Sequence, residues 1–183
     1  MGRKYRIHSD DHFYFVTFTV VKWIDVFTKD AHRQIFVDSV KYCQQNKGLL
    51  IGAWCIMPNH IHLILSVRTG HNLSDCIRDL KSYTSRSIRK HMESRQWESS
   101  HKYMLSKFYS TGKNNVRNND FQLWQQHNHP IELSDNHRIE TRLEYIHENP
   151  VKAGWVDTVS DWVYSSARDY DGRKGLIEIY FLD

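Results

Sequence analysis

The stretch LLIGAWCIMPNHIHLILSV, residues 49–67, consists of two apolar, strand-like runs separated only by Pro58 and Asn59. A connection that short suits a tight hairpin, so the two runs are antiparallel neighbours in a sheet. Upstream, HFYFVTFTVV, residues 12–21, is β-branched and aromatic with Thr17 and Thr19 alternating, and reads as another strand. Between them, KDAHRQIFVDSVKYCQQNKG sets Ile35, Phe36, Val40 and Cys43 at helical spacing and closes on Gly48, a residue suited to the position just past a helix end. Downstream, residues 72–97 repeat Leu73, Ile77, Leu80, Thr84, Ile88 and Met92 at a period of about 3.6, the mark of a long amphipathic helix. The order of elements is β-α-β-β-α.

Residues 98–120 lack clear periodicity and are rich in Ser, Asn, Lys and Arg, which predicts a long loop or insertion of the kind that often carries function. FQLWQQ, residues 121–126, reads as a further strand, with Trp124 and Gln125 packing. SDNHRIETRLEYIHEN, residues 134–149, reads as a capped helix that stops before Pro150, because proline disfavours α geometry in its predecessor. Residues 151–183 read as a packed but irregular tail with a short last strand. The expectation is one domain over 1–183, with its core at about 5–150 and a C-terminal tail at 151–183.

Apolar residues make up 40% of the chain and aromatics 13%, with no low-complexity run, so the composition is that of a folded protein. The longest uncharged apolar stretch, around Leu49–Met57, is too short to span a bilayer, and the N-terminus has no apolar signal core. A cytoplasmic protein with no membrane partner is expected. Cys43, Cys55 and Cys76 form no CxxC pair, and their odd number argues for reduced thiols packed in the core. A net charge of +4 and a pI of 8.9 decide little about partners.

On the second strand of the hairpin, His60, His62 and Ile64 share one face, while Ile61, Leu63 and Leu65 share the other and can form the core side. Two imidazoles therefore stand side by side at the strand's start, where they are either two ligands of one metal ion or histidines satisfied by carbonyls and water. A second H-x-H, His127 and His129 in HNHP, lies in a polar segment with no alternating apolar face and is the weaker candidate. On the helix near residue 145, Ile139, Leu143 and Ile146 make a buried stripe; Arg138, Arg142, Tyr145 and Asn149 make a second stripe beside it. An amide oxygen can complete a cation's shell next to two imidazoles, a phenol one turn away can reach a phosphorus, and the arginines can hold phosphates. Spacing alone does not single out Tyr145 among ten tyrosines.

MPNHIHLIL, YIHENPVKAGWV and SDWVYSS together resemble the REP-associated tyrosine transposases, relatives of the single-tyrosine, IS200-like HUH transposases, in which U is a bulky hydrophobic residue. The order of elements agrees from about residue 5 to 168. The resemblance implies an α+β fold: a ferredoxin-like antiparallel sheet with helices packed on it. It implies a metal-dependent single-stranded DNA endonuclease and strand transferase, a transposase that cleaves near hairpins through a covalent 5′-phosphotyrosine. His60 and His62 match the HUH pair and Tyr145 the nucleophile. Asn149 matches the third metal-binding position, holding the ion directly or through an oriented water. The implied cofactor is a divalent ion, Mg2+ or Mn2+, and the implied partner is single-stranded or hairpin DNA; the resemblance also allows a homodimer. Basic side chains expected on DNA are Arg138 and Arg142, the stripe Arg78, Lys81, Ser85 and Arg89, the N-terminal Arg3, Lys4 and Arg6, and Lys102, Lys107, Lys113 and Arg117, the last four interleaved with Tyr103, Phe108 and Tyr109.

Three rivals remain at this level. A non-catalytic module could display the aromatics of HFYFVTF to single strands, but no RNA-binding aromatic motif is found. A domesticated family member would bind hairpins without moving DNA. A hydrolytic metal nuclease would use water and leave no covalent adduct.

Overall fold

The computed structural model describes residue 7, residues 12–115 and residues 120–182. Arg3, Lys4, Arg6 and Arg117 lie outside the described residues. The core is a four-stranded antiparallel sheet built from β1 (Tyr14–Thr19), β2 (Leu49–Ile56), β3 (His60–Val67) and β4 (Ile131–Glu132), in the order β2-β3-β1-β4. This is the α+β, ferredoxin-like arrangement expected. The hairpin forms as the sequence suggested: Ile56 pairs with Ile61 across the Pro58–Asn59 turn, and Gly52 lies where the β2–β3 register shifts between Ile51 and Ala53.

One face of the sheet carries Ile61, Leu63 and Leu65, packed with Phe36 and Val40 of α1 (Asp30–Asn46) and Leu73, Ile77, Leu80 and Ile88 of α2 (Leu73–Glu93). Asn72 caps α2 by accepting from Asp75 N at 2.9 Å, and Gly48, at φ +64°, follows the last turn of α1. The other face carries Phe15, Ala53, Cys55 and Ile64. It is covered by α4 (Asn136–Lys152) through buried Ile146 and half-buried Ile139 and Leu143. Both faces are therefore closed, and the histidine face lies under α4.

Three expectations need correction. Residues 98–120 are mostly a helix, α3 (Ser99–Lys113), not a loop. Its buried residues His101, Met104, Leu105, Phe108 and Gly112 do repeat at helical spacing; the stripe is hidden because two of them, His and Gly, do not count as apolar. Gly112 is required by close approach, since a Cβ there would stand 2.3 Å from the backbone nitrogen of Phe121. Residues 121–126 make a single bridge, Val20 to Trp124, rather than a strand, and the short fourth strand falls at 131–132. Finally, α4 runs through Pro150 to Lys152. The pre-proline bias is overridden because Pro150 is buried in the last turn, Ala153 N reaches Asn149 O at 3.0 Å, and Gly154 at φ +72° ends the helix instead.

The tail is irregular, as expected, apart from a short helix, α5 (Ala167–Tyr170). Among the described residues it adds no named strand; it runs along the outer edge of β2. Ile56 N donates to Tyr164 O, Ser166 N to Trp54 O and Tyr180 N to Ile51 O. An edge that would otherwise be open for pairing is thereby occupied. All three cysteines are buried and free. No helix among the described residues is long and apolar enough to cross a membrane.

Candidate active site

β1 and β3 set the site. Their register places Thr17 opposite His62 and Thr19 opposite His60, on the face away from α1 and α2. The His60 and His62 ring centroids are 4.7 Å apart. α4 crosses above, with Tyr145 at 5.1 Å from the His62 ring and edge-on to Phe15 at 6.0 Å. Asp135 fixes the helix start by accepting from Arg138 N at 2.9 Å. The structure thus brings together side chains that are more than eighty residues apart in sequence.

Hydrogen bonds settle which nitrogen of His60 carries the lone pair. Asn59 Nδ2 donates to Asp25 Oδ1 at 2.8 Å, which turns Asn59 Oδ1 towards His60 Nδ1 at 2.7 Å. His60 Nδ1 must then be the protonated nitrogen, leaving Nε2 as a ligand atom. His62 Nδ1 lies 2.9 Å from Thr17 Oγ1, and its Nε2 is buried with no hydrogen-bond partner. His62 is 4% exposed, and burial, with the neighbouring His60 and Arg142 charges, pushes its pKa down to about 3; burial lowers that of His60 as well. Both rings are held neutral, the form that binds metal. A buried imidazole nitrogen with no partner, next to the half-buried His60 ring whose Nε2 carries a lone pair, fits a divalent cation.

Tyr145 is 39% exposed, and its ring packs against His62 and Phe15. Arg142 lies over Phe15 at 4.8 Å and over Tyr145 at 5.9 Å, stacked on rings rather than ion-paired among the described residues. Asn149 is half-buried, one turn beyond Tyr145 on the same stripe. Thr17, Phe15 and Asn59 were missed by the sequence reading. The alternation of Thr17 and Thr19 was visible, but only the β1–β3 register reveals that it faces the histidines.

The expected basic residues are not equivalent. Lys81 Nζ is largely buried, donates to Gln125 O and Asn128 Oδ1 at 2.8 and 2.6 Å, and has its pKa lowered to about 8 by burial. Arg89 is paired with Glu93 and Asp120, Arg78 with Asp75 and Asp79, and Arg138 with Asp135, while Lys113 is exposed. Arg78, Lys81, Ser85, Arg86 and Asn128 line a groove of about 570 Å³ between α2 and residues 121–128. Gln125 N donates to Thr19 O and Thr17 N to Asn128 O, so this groove ends beside the strand that faces His60 and His62. Trp124 packs, as expected, donating from Nε1 to Thr84 Oγ1 at 3.1 Å. Trp23 stands 60% exposed with its ring 5.8 Å from His60, on a backbone where Lys22 and Trp23 hold φ of +57° and +55°. Left-handed φ at two successive non-glycine residues is strained, and such strain concentrates at functional sites. The second H-x-H has its His127 and His129 rings 6.1 Å apart.

The family described as IS200-like transposase matches residues 9–118, which include His60 and His62 and stop short of Tyr145. A Haemophilus influenzae protein classed with the REP-associated tyrosine transposases is 32% identical over 115 residues, 62% of this chain and 56% of the relative. The Escherichia coli REP-associated tyrosine transposase is 28% identical over 136 residues, 74% of this chain and 64% of the relative. In both cases the match spans less than two thirds of the relative's length. The solved structure of a REP-associated tyrosine transposase bound to a REP hairpin shares the fold, with a TM-score of 0.64 and 20% identity over 100% of this chain and 94% of that one.

Proposed function

Because this chain belongs to the IS200-like transposase family, a family of DNA-processing enzymes, we propose that it cuts and rejoins single-stranded DNA beside a hairpin, with Tyr145 as nucleophile. The observation that carries this reading is the unpartnered, buried His62 Nε2 beside His60, with the Tyr145 ring 5.1 Å away. His60 and His62, with Asn149 one turn past Tyr145, would hold a divalent ion. Bound there, Mg2+ or Mn2+ would supply Lewis-acid polarisation of a phosphate oxygen, and the two nitrogen donors favour manganese.

The chain's own residues do the rest. Tyr145 Oη gives up its proton to water and attacks phosphorus, an O–P bond forms to the tyrosine, and the bond to the 3′ oxygen breaks. That oxygen takes up a proton and leaves as a 3′-hydroxyl, while the 5′ side stays on the protein as phosphotyrosine. Because the phosphodiester is conserved in the link, a second 3′-hydroxyl can reverse the step, and no nucleotide cofactor is required. Arg142, stacked over the Tyr145 ring, stabilises the negative charge of the phenolate and of the phosphate that approaches it. Asp25 and Asn59 orient His60, and Thr17 orients His62.

The groove between α2 and residues 121–128 is the proposed path of the phosphate backbone, lined by Arg78 and Arg86, with Arg89 and Lys113 as further cations on α2 and α3 and Arg138 and Arg142 as separate contacts on α4, across the sheet. Lys81 orders the 125–128 wall of that groove. Trp23 offers an exposed face on which an unpaired base stacks next to the site. The test is cleavage of an end-labelled hairpin oligonucleotide with a single-stranded flank. Mn2+ should support cutting in the wild type, chelation should abolish it, and His62→Ala should abolish it while hairpin binding persists. Cleavage that survives both chelation and His62→Ala would refute the assignment.

A further inference from the structure

On the opposite side of the sheet, three helices bring three more histidines together: His32 near the start of α1, His91 near the end of α2 and His101 in the first turn of α3. One ring nitrogen from each lies within 4.8 Å of the other two. The ring centroids are 5.0, 5.5 and 5.6 Å apart, and His32 and His101 are 0% and 1% exposed.

Backbone carbonyls fix two of the three tautomers. His32 Nδ1 is 2.8 Å from Val26 O and His101 Nδ1 is 3.3 Å from Arg95 O; a carbonyl only accepts, so both Nδ1 atoms carry the proton. Each ring therefore turns a lone pair outward from Nε2. His32 Nε2 meets His91 Nδ1 at 3.1 Å, whereas His101 Nε2 is buried with no partner at all. Histidines that donate one nitrogen to a carbonyl and present the other are arranged as metal ligands are. His91 is half-buried and donates from Nδ1 to the His32 Nε2 lone pair; moving that proton to Nε2 adds the third lone pair. Burial also holds His32 neutral, with a pKa pushed down to about 4.

We propose that His32, His91 and His101 bind a zinc ion that joins α1, α2 and α3, a structural site separate from the His60–His62 centre. Three imidazole nitrogens suit zinc far better than magnesium, which prefers oxygen. Tetrahedral zinc places its nitrogen ligands about 3.4 Å apart, so the spread here closes with small side-chain movements. The fourth position falls to water, while Glu98, whose Oε2 is 3.8 Å from the protonated His101 Nδ1 and receives Lys29 at 3.1 Å, stands on the other side of that ring. The ion would anchor the start of α3, which follows α2 by a short polar link.

The test removes the other candidate centre first, so that its outcome is independent of the DNA-processing assignment. Protein carrying His60→Ala and His62→Ala is stripped with chelator and titrated with zinc alone, then with cobalt. One equivalent of zinc should bind, cobalt should give the intense visible absorption of a four-coordinate site, and the melting temperature should rise by roughly 5 to 10 °C at zinc a hundredfold above Kd. Adding His91→Gln, at a half-buried position that leaves the core intact, should remove the binding and the rise while circular dichroism stays unchanged; His101→Gln provides a second ligand loss. No stoichiometric zinc in the double variant, or equal binding after His91→Gln, would overturn the proposal.

Discussion

Replacing Thr17 with valine keeps the β-branched shape that β1 requires and removes one atom, the Oγ1 that lies 2.9 Å from His62 Nδ1. Two consequences can be separated. In the metal-free protein His62 Nδ1 loses its partner in a buried site, and since Thr17 is itself only half-buried the cost belongs at the low end of the usual range, about 1 to 1.5 kcal/mol. For a chain of this length that lowers the melting temperature by roughly 2 to 6 °C. For metal binding, the loss of a hydrogen bond that orients a ligand's ring lowers affinity by about 10- to 100-fold, or about 1.4 to 2.8 kcal/mol. Calorimetric titration with Mn2+ measures the second effect and thermal unfolding in chelator the first. Thr17→Ser, which restores the hydroxyl, should return Mn2+ affinity to within about twofold of the wild type. Unchanged Mn2+ affinity in Thr17→Val, alongside a lower melting temperature, would show that Thr17 only packs and would remove it from the site.

Trp23→Ala should weaken single-stranded DNA binding by about 1 to 3 kcal/mol in a fluorescence titration without changing Mn2+ binding; equal DNA affinity would contradict the stacking role. Gly112→Ala should destabilise the protein by about 1 to 3 kcal/mol in urea unfolding, against the helix-propensity gain, because the added Cβ meets the backbone at Phe121. Stability should also fall as pH drops below about 6.5. His32, His62 and His147 are buried with pKa values lowered to about 4, 3 and 4, so the unfolded chain binds protons that the folded chain refuses. In chelator the loss is about 2 kcal/mol per histidine by pH 5. His147→Gln, which replaces a ring bonded to Ser166 Oγ at 2.9 Å, should remove its share of that dependence, about 2 kcal/mol, in urea unfolding at pH 7 and pH 5. A pH-independent midpoint would contradict it.

The sheet was readable because its strands are long in apolar residues and its hairpin is closed by two turn residues; alternation alone assigned Ile61, Leu63 and Leu65 to the α1–α2 side. What failed was local. α3 hides its buried stripe behind His101 and Gly112, and the pre-proline rule ended α4 one turn early because burial of Pro150 does not show in composition. The histidine pair could be proposed from strand alternation and Tyr145 only through the family resemblance, but their supports could not be read at all. Thr17 reaches His62 only through strand register, and Asp25 reaches His60 only through Asn59. The His32–His91–His101 cluster has no sequence signature at all, since its members come from three helices and share no spacing motif.

The central claim is that Tyr145 becomes covalently attached to DNA. Wild-type protein and Tyr145→Phe should be incubated with labelled single-stranded hairpin DNA, with Mn2+ and with chelator, and run under denaturing conditions. A protein–DNA adduct that appears only with Mn2+ and only in the wild type, with the nucleotide mapped to residue 145 by mass spectrometry, is the predicted result. Cleaved DNA without any adduct, or an adduct that persists in Tyr145→Phe, would contradict the account.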